Sequence, residues 1–279
     1  MPGSSDGRLP IGVALSGGTA KAVAHIGVLR ALVDEGLPID YLAGTSGGSL
    51  VAAFYASGMP LERIGEIARE LSWAKLVKLR ISRLGVVSSK PIEDFVKDHI
   101  GDAQFSDFDT PTAVVATDLA TGKRHAFSSG GVARAVRASC TIPQIFLPVE
   151  IDKRYYVDGG FSEYLPVETL EDIGGMFVIG VHLAHKSPMY GRPRNYLQLA
   201  MHITGLVAKT NYVDSIKKAD VVIHPDMDRF SPFDFEPSDD LMTAGYEATK
   251  KAIPKIEKEW KRKSGKIYQF LKKVSPHRQ

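Results

Sequence analysis

Tyr41-Leu42-Ala43-Gly44-Thr45-Ser46-Gly47-Gly48-Ser49-Leu50-Val51-Ala52-Ala53 is read as an apolar strand that runs directly into a helix of small residues. The strand covers Tyr41 to Thr45, the helix Gly47 to Ser57, and Ser46 stands alone at the corner. Gly44-Thr45-Ser46-Gly47-Gly48 fits the G-x-S-x-G pattern, in which a serine is exposed on a strained strand-to-helix turn. Side chains at the flanking positions would collide with the adjacent strand and helix. The helix that follows aims its free N–H groups and the positive end of its dipole at the serine. A glycine-rich turn with Ser46 as a plain N-cap is the simpler reading. The strand before the serine and the Ala-rich helix after it favour the nucleophile.

Outward from this corner, strands and helices alternate. Ile11 to Leu15 reads as a strand, followed by a helix from Ala22 to Glu35 that Gly36 and Pro38 end. Further strands are expected at Thr112–Thr117, Arg124–Phe127, Arg154–Val157, Phe177–Leu183 and Asp220–His224, with helices between most of them. The predicted class is α/β: a mostly parallel central sheet with helices on both faces, a three-layer α/β/α arrangement. Residues 60–110 break the rhythm as a helical and loop-like insertion suited to cover or flank a site. Residues 185–194 and 226–240 are two further irregular stretches. No repeat or linker is evident, so one domain over 1–279 is expected, with its motifs within 10–225.

The 279 residues include 44% hydrophobic and 24% charged side chains, with mean hydropathy −0.08, the balance of a soluble globular chain. Apolar runs fall short of the roughly 20 residues of a spanning helix, and the polar start resembles no signal peptide. One cysteine, Cys140, permits no internal disulfide. A cytoplasmic protein, with room for peripheral contact at a membrane face, is the expectation. From Lys250 onward, nine lysines and two arginines stand against Glu257 and Glu259, so a net +3 chain carries a strongly basic end on a mildly acidic body. That end suits an anionic partner or a solvated helix face.

Leu15-Ser16-Gly17-Gly18-Thr19-Ala20-Lys21-Ala22 lies between the first strand and the first helix. It matches neither the dinucleotide fingerprint nor the P-loop. A phosphate cradle and an oxyanion hole both suit its glycines. Because Ser46 follows the very next strand, the two loops should lie side by side at the sheet's carboxyl edge, which favours the oxyanion hole. A nucleophilic serine also needs a base within reach. Val157-Asp158-Gly159-Gly160 places a carboxylate at a strand end, with two glycines leaving space beside it; an apolar setting would raise its pKa and suit it as a base. An Asp-Gly hairpin is the plainer reading of those residues.

These motifs, in this order, resemble the patatin-like phospholipase family, closest to its small bacterial members. The likeness covers roughly residues 10–225. It continues through Ala24-His25-Ile26-Gly27-Val28-Leu29, Thr117-Asp118-Leu119-Ala120-Thr121-Gly122, Ala138-Ser139-Cys140-Thr141-Ile142-Pro143 and Leu165-Pro166-Val167. The resemblance implies a Ser–Asp dyad without histidine, acting on acyl esters of lipids, with no metal or organic cofactor. Ser46 would be the nucleophile and Asp158 its base. The N–H groups of Gly17, Gly18 and Thr19 would hold the oxyanion, with Lys21, Gly44, Gly48, Gly159 and Gly160 supporting the loops. The implied substrate is a fatty-acyl ester or phospholipid, with no nucleic acid. Thr19 and Ala22 stand where the family loop has glycine; at positive φ, Thr19 would distort the hole.

A Ser-Asp-His triad using His182 or His185 is the enzyme alternative, and a catalytically weak lipid-binding module the non-enzymatic one. His25 reads as a core or loop-supporting residue, Asp118 as a turn residue and Cys140 as buried and inert. Ile253, Ile256, Trp260, Ile267, Leu271 and Val274 fall near one face of a C-terminal helix that Gly265 should interrupt. This stripe either packs on the sheet or meets anionic lipid.

Overall fold

A computed structural model describes residues 8–72, 76, 87–183, 193 and 196–274, with backbone only at 197, 201 and 266–274. The strands are β1 (Ile11–Leu15), β2 (Tyr41–Thr45), β3 (Thr112–Asp118), β4 (Arg124–Phe127), β5 (Val149–Ile151), β6 (Arg154–Asp158), β7 (Phe177–Val181) and β8 (Val221–Ile223). They form an eight-stranded sheet in the order β5-β6-β3-β2-β1-β7-β8, with β4 also paired to β3. β3, β2, β1, β7 and β8 run parallel. β4, β5 and β6 make the antiparallel end. The expected mostly parallel sheet is therefore present, and all five residues of β1, β2 and β7 are buried, as parallel strands covered on both faces must be.

The helices are α1 (Ala24–Asp34), α2 (Gly47–Ala56), α3 (Leu61–Arg69), α4 (Lys90–Ile100), α5 (Val132–Ser139), α6 (Val167–Ile173), α7 (Tyr196–Lys218) and α8 (Ser238–Val274). One side of the sheet, through Ile11, Val13 and Leu15, packs on α1, α2, α5 and α8 in the main core. The other, through Ala14, Ala43 and Val178, packs under α6 and α7.

Several boundaries differ from expectation. The first helix opens with a tight 3-10 turn, Thr19–Val23, before α1 begins at Ala24. β5, three residues long, lies where no strand is expected. α8 runs unbroken through Gly265. Ile253 and Ile256 of the C-terminal stripe are buried, and the Trp260 Nε1–H donates to the Leu9 carbonyl at 2.9 Å, so this half of the stripe packs on the body. The side chains of Ile267, Leu271 and Val274 lie outside the described residues, as do His185 and most of the 185–194 stretch. No helix of the described residues is long and apolar enough to cross a membrane.

Candidate active site

Three strands bring the chemistry together. β1 and β2 are adjacent and parallel, with Leu15 opposite Gly44, so the loops that follow them emerge at the same edge. β3 outruns β2: Thr45 ends β2 opposite Val115, while β3 continues through Ala116 to Asp118. β6 returns antiparallel along that overhang and sets Asp158 opposite Ala116, level with Ser46. The Ser46 hydroxyl donates to Asp158 Oδ2 at 2.7 Å. Serine and aspartate are thus held by backbone register, 112 residues apart in sequence.

The serine turn is strained and braced. Ser46 has φ 51° and ψ −126°, a conformation that persists only where surroundings enforce it. Its N–H donates to Ser139 Oγ at 2.8 Å, and that hydroxyl donates onward to the Val115 carbonyl at 2.6 Å. The Ser46 carbonyl accepts from both the N–H and the hydroxyl of Ser49. Gly48 allows the turn to sit against β1, since a Cβ there would lie 2.4 Å from the Leu15 carbonyl. Ala22, where the family loop has glycine, fits because position 47 is glycine; a Cβ at Gly47 would come within 2.5 Å of the Ala22 methyl.

Asp158 is only 2% exposed. Burial pushes its pKa up to about 6, against the Gly160 N–H, which donates to Oδ1 at 2.8 Å, and the Ser46 hydroxyl on Oδ2. Among the described residues no histidine bonds either Ser46 or Asp158. His182 Nδ1 instead lies 3.3 Å from His224 Nδ1, and its ring packs on Tyr212.

The glycine loop differs from expectation at one donor. The Gly17 N–H is taken by the Tyr164 carbonyl at 3.1 Å. The Gly18 and Thr19 N–H groups have no acceptor among the described residues. Thr19 adopts φ 49°, a left-handed geometry that costs a non-glycine residue roughly 1–2 kcal/mol, and its hydroxyl donates to the Gly18 carbonyl. Lys21 is buried rather than directed outward: its Nζ donates to the Met227 carbonyl, and burial lowers its pKa to about 7 against the pull of Asp228. His25 Nε2–H donates to the Ser16 carbonyl, and burial keeps the ring neutral, with a pKa near 4. His25 therefore braces the loop.

Sequence reasoning gave no role to Ser139 or Asn211. Asn211 of α7 clamps the chain after the aspartate, donating to the Gly160 carbonyl at 2.9 Å and accepting from the Tyr164 N–H at 3.0 Å. Asp118 caps its own turn through the Ala120 and Thr121 N–H groups, as expected.

An apolar cavity, partly open to solvent, is lined at its polar part by Ser46 and Thr19. It passes between α1, α2, α3 and α4, so the insertion at 60–110 supplies part of its wall. Cys140 lines it 3.8 Å from Ser49 Oγ, its thiol pushed up to about 12 by burial and by Asp158.

The family model described as patatin-like phospholipase matches residues 13–171, which span both Ser46 and Asp158. The chain belongs to the patatin-like phospholipase family. Among curated members, an uncharacterized NTE family protein of Mycobacterium tuberculosis is 35% identical over 184 residues, which are 65% of this chain and 50% of the relative. The chain thus spans about half the length of that relative. Lysophospholipase NTE1 of Yarrowia lipolytica is 25% identical across 90% of this chain and 20% of its own length. VipD from Legionella pneumophila shares the fold, with a TM-score of 0.58 at 16% identity over 91% of this chain and 69% of VipD.

Proposed function

We propose that this patatin-like chain is a serine hydrolase that cleaves fatty-acyl esters of lipids through a Ser46–Asp158 dyad. The observation that carries this reading is the 2.7 Å hydrogen bond between Ser46 Oγ and Asp158 Oδ2 at the start of an apolar cavity. Asp158 accepts the Ser46 proton as Oγ attacks the ester carbonyl. The developing oxyanion meets the Gly18 and Thr19 N–H groups and the amino end of α2. Collapse returns the proton from Asp158 to the departing alcohol and leaves an acyl-serine. Asp158 then deprotonates a water, whose oxygen attacks the acyl carbon; the acid departs and Ser46 recovers its proton.

The proposed domain is the whole chain, with its motifs within 10–225. Lys251, Lys255, Lys258 and Lys261 are exposed on α8, and we infer that they give peripheral contact with anionic membrane at its cytoplasmic face. Vesicle sedimentation should weaken when these four are changed to glutamine.

A fluorophosphonate probe tests the dyad. Wild type is expected to gain a covalent adduct that Ser46→Ala cannot form, and Asp158→Asn to lose at least about a thousandfold in ester turnover. Labelling that persists without Ser46, or wild-type turnover in Asp158→Asn, would exclude it. Lipid binding without Ser46-dependent labelling would leave a binding module in its place.

A further inference from the structure

The cavity has one polar end. Among its described lining residues the polar side chains are those of Thr19, Ser46 and Cys140, grouped at the reacting centre, and the others are apolar. Such a lining suits a hydrocarbon chain better than a polar headgroup. The wall next to Ser46 is α2, which contributes Gly47, Leu50, Val51 and Phe54, residues spaced three and four apart along one helix face. From Ser46 to Phe54 the helix advances about 12 Å, so α2 lies along the cavity as a ruler.

Two of the lining rings, one on α2 and one on α4, pack together. Phe54 and Phe95 pack with centroids 6.0 Å apart. His99 lies against both, 5.6 Å from Phe54 and 4.5 Å from Phe95, yet is not part of the cavity wall. It is half-buried, with its Nδ1–H on the Phe95 carbonyl. The phenylalanine pair therefore separates the apolar interior from a polar imidazole that reaches toward solvent.

We propose that Phe54 and Phe95 are a chain-length stop: the cavity takes one acyl chain, carbonyl at Ser46 and methyl end against the two rings. This rests on Ser46 being the nucleophile. An extended chain advances about 1.2 Å per bond, so about ten carbons fill the distance along α2. Each further methylene buried should raise kcat/KM roughly fourfold until the rings are reached, after which longer chains gain nothing or lose.

The test is a series of p-nitrophenyl esters from butyrate to palmitate, held below micelle-forming concentrations, with each protein's profile read relative to its own butyrate rate. Wild type should peak near the decanoate. Phe54→Ala and Phe95→Ala should each move the peak longer by two carbons or more. Leu50→Phe, only about 6 Å along α2 from Ser46, should move it shorter. If an alanine variant does not fold by circular dichroism, Phe54→Leu and Phe95→Leu replace it with the same expected direction. A wild-type profile that climbs steadily to palmitate, or a peak that none of the variants moves, overturns the stop. Fluorophosphonate labelling separates the two levels of failure. Labelled enzyme with a flat chain-length profile removes the stop alone, whereas absent labelling and absent turnover of every ester remove the hydrolase reading beneath it.

Discussion

Thr19 sits at φ 49° with an N–H that has no acceptor among the described residues, so strain and the proposed anion contact fall on one residue. Glycine there would remove the left-handed cost of roughly 1–2 kcal/mol and return roughly 0.5–1 kcal/mol of it as extra unfolded-chain entropy. Thr19→Gly is therefore expected to keep kcat/KM at or above wild type and to hold or slightly raise the melting temperature. A tenfold loss of kcat/KM would show that the threonine side chain is itself required. Asp158 makes a second prediction through its pKa of about 6. As the proposed base it must be ionised, so kcat/KM should fall about tenfold per pH unit below pH 6 and level off above it. The same burial destabilises the native state. Above pH 6 the carboxylate is charged whether folded or unfolded and the penalty is fully present; between pH 6 and 3.8 the folded protein binds the proton first and the penalty fades. Asp158→Asn should accordingly be more stable than wild type at pH 7.5, by up to about 3 kcal/mol, with the gap closing below pH 4 in denaturant titrations. Ser46 and Asp158 were legible because each lies in a local pattern whose geometry is written in its neighbours. The loss of the Gly17 N–H was not, since its acceptor, Tyr164, is far away in sequence and reaches the loop only through the fold.

Elements, more than individual contacts, hold this site. The end of α5 supplies Ser139, whose hydroxyl joins the Ser46 N–H to the Val115 carbonyl and so ties the serine turn to β3. Ser139→Ala would leave both backbone groups buried without partners, at a cost of about 1–3 kcal/mol for each unsatisfied group. The expected result is a lower melting temperature and a kcat reduced more than KM, because the brace holds Ser46, the proposed nucleophile, rather than the substrate. An unchanged kcat would mean that Gly48 and Ser49 suffice to hold the turn. At this scale the sequence was informative for most strands. β4 falls within its predicted limits, and β3, β6, β7 and β8 within two residues of theirs. It failed where packing decides: the 3-10 turn at Thr19–Val23 is anchored by the Ala20 N–H on the Pro232 carbonyl, a contact that no local pattern contains. Asn211 is similar, since nothing in α7's own sequence indicates that it clamps the chain beyond Asp158.

For the molecule as a whole, the longest helix is fixed by its closest approach. α8 lies on α1, and the two meet at glycines: a Cβ on Gly27 would stand 1.8 Å from the Met242 carbonyl, and one on Gly245 would stand 2.0 Å from the Ala24 carbonyl. The approach matters to the site because α1 follows directly from the glycine loop, and Lys21 at its base reaches Met227 just ahead of α8. A long hydrophobic stripe with lysines between is compatible with a lipid-facing helix or a packed one. The opposed glycines on α1 and α8, with the buried Ile253 and Ile256, settle the near half as packed, and that pairing is invisible until both helices are placed. Gly265 contrasts with them, since a Cβ there meets nothing within 4 Å and the helix continues through it. Gly27→Ala is therefore expected to separate α1 from α8, lowering stability by several kcal/mol and reducing activity through the displaced glycine loop. Gly265→Ala should stabilise by about 0.5–1 kcal/mol, the ordinary gain of alanine over glycine inside a helix. Thermal melts of the two variants, read beside butyrate ester turnover, decide the matter. A tolerated Gly27→Ala would mean that α8 can shift on α1 without disturbing the site. A destabilising Gly265→Ala would mean that the far half of α8 needs the glycine's freedom at the point where the sequence suggested a break.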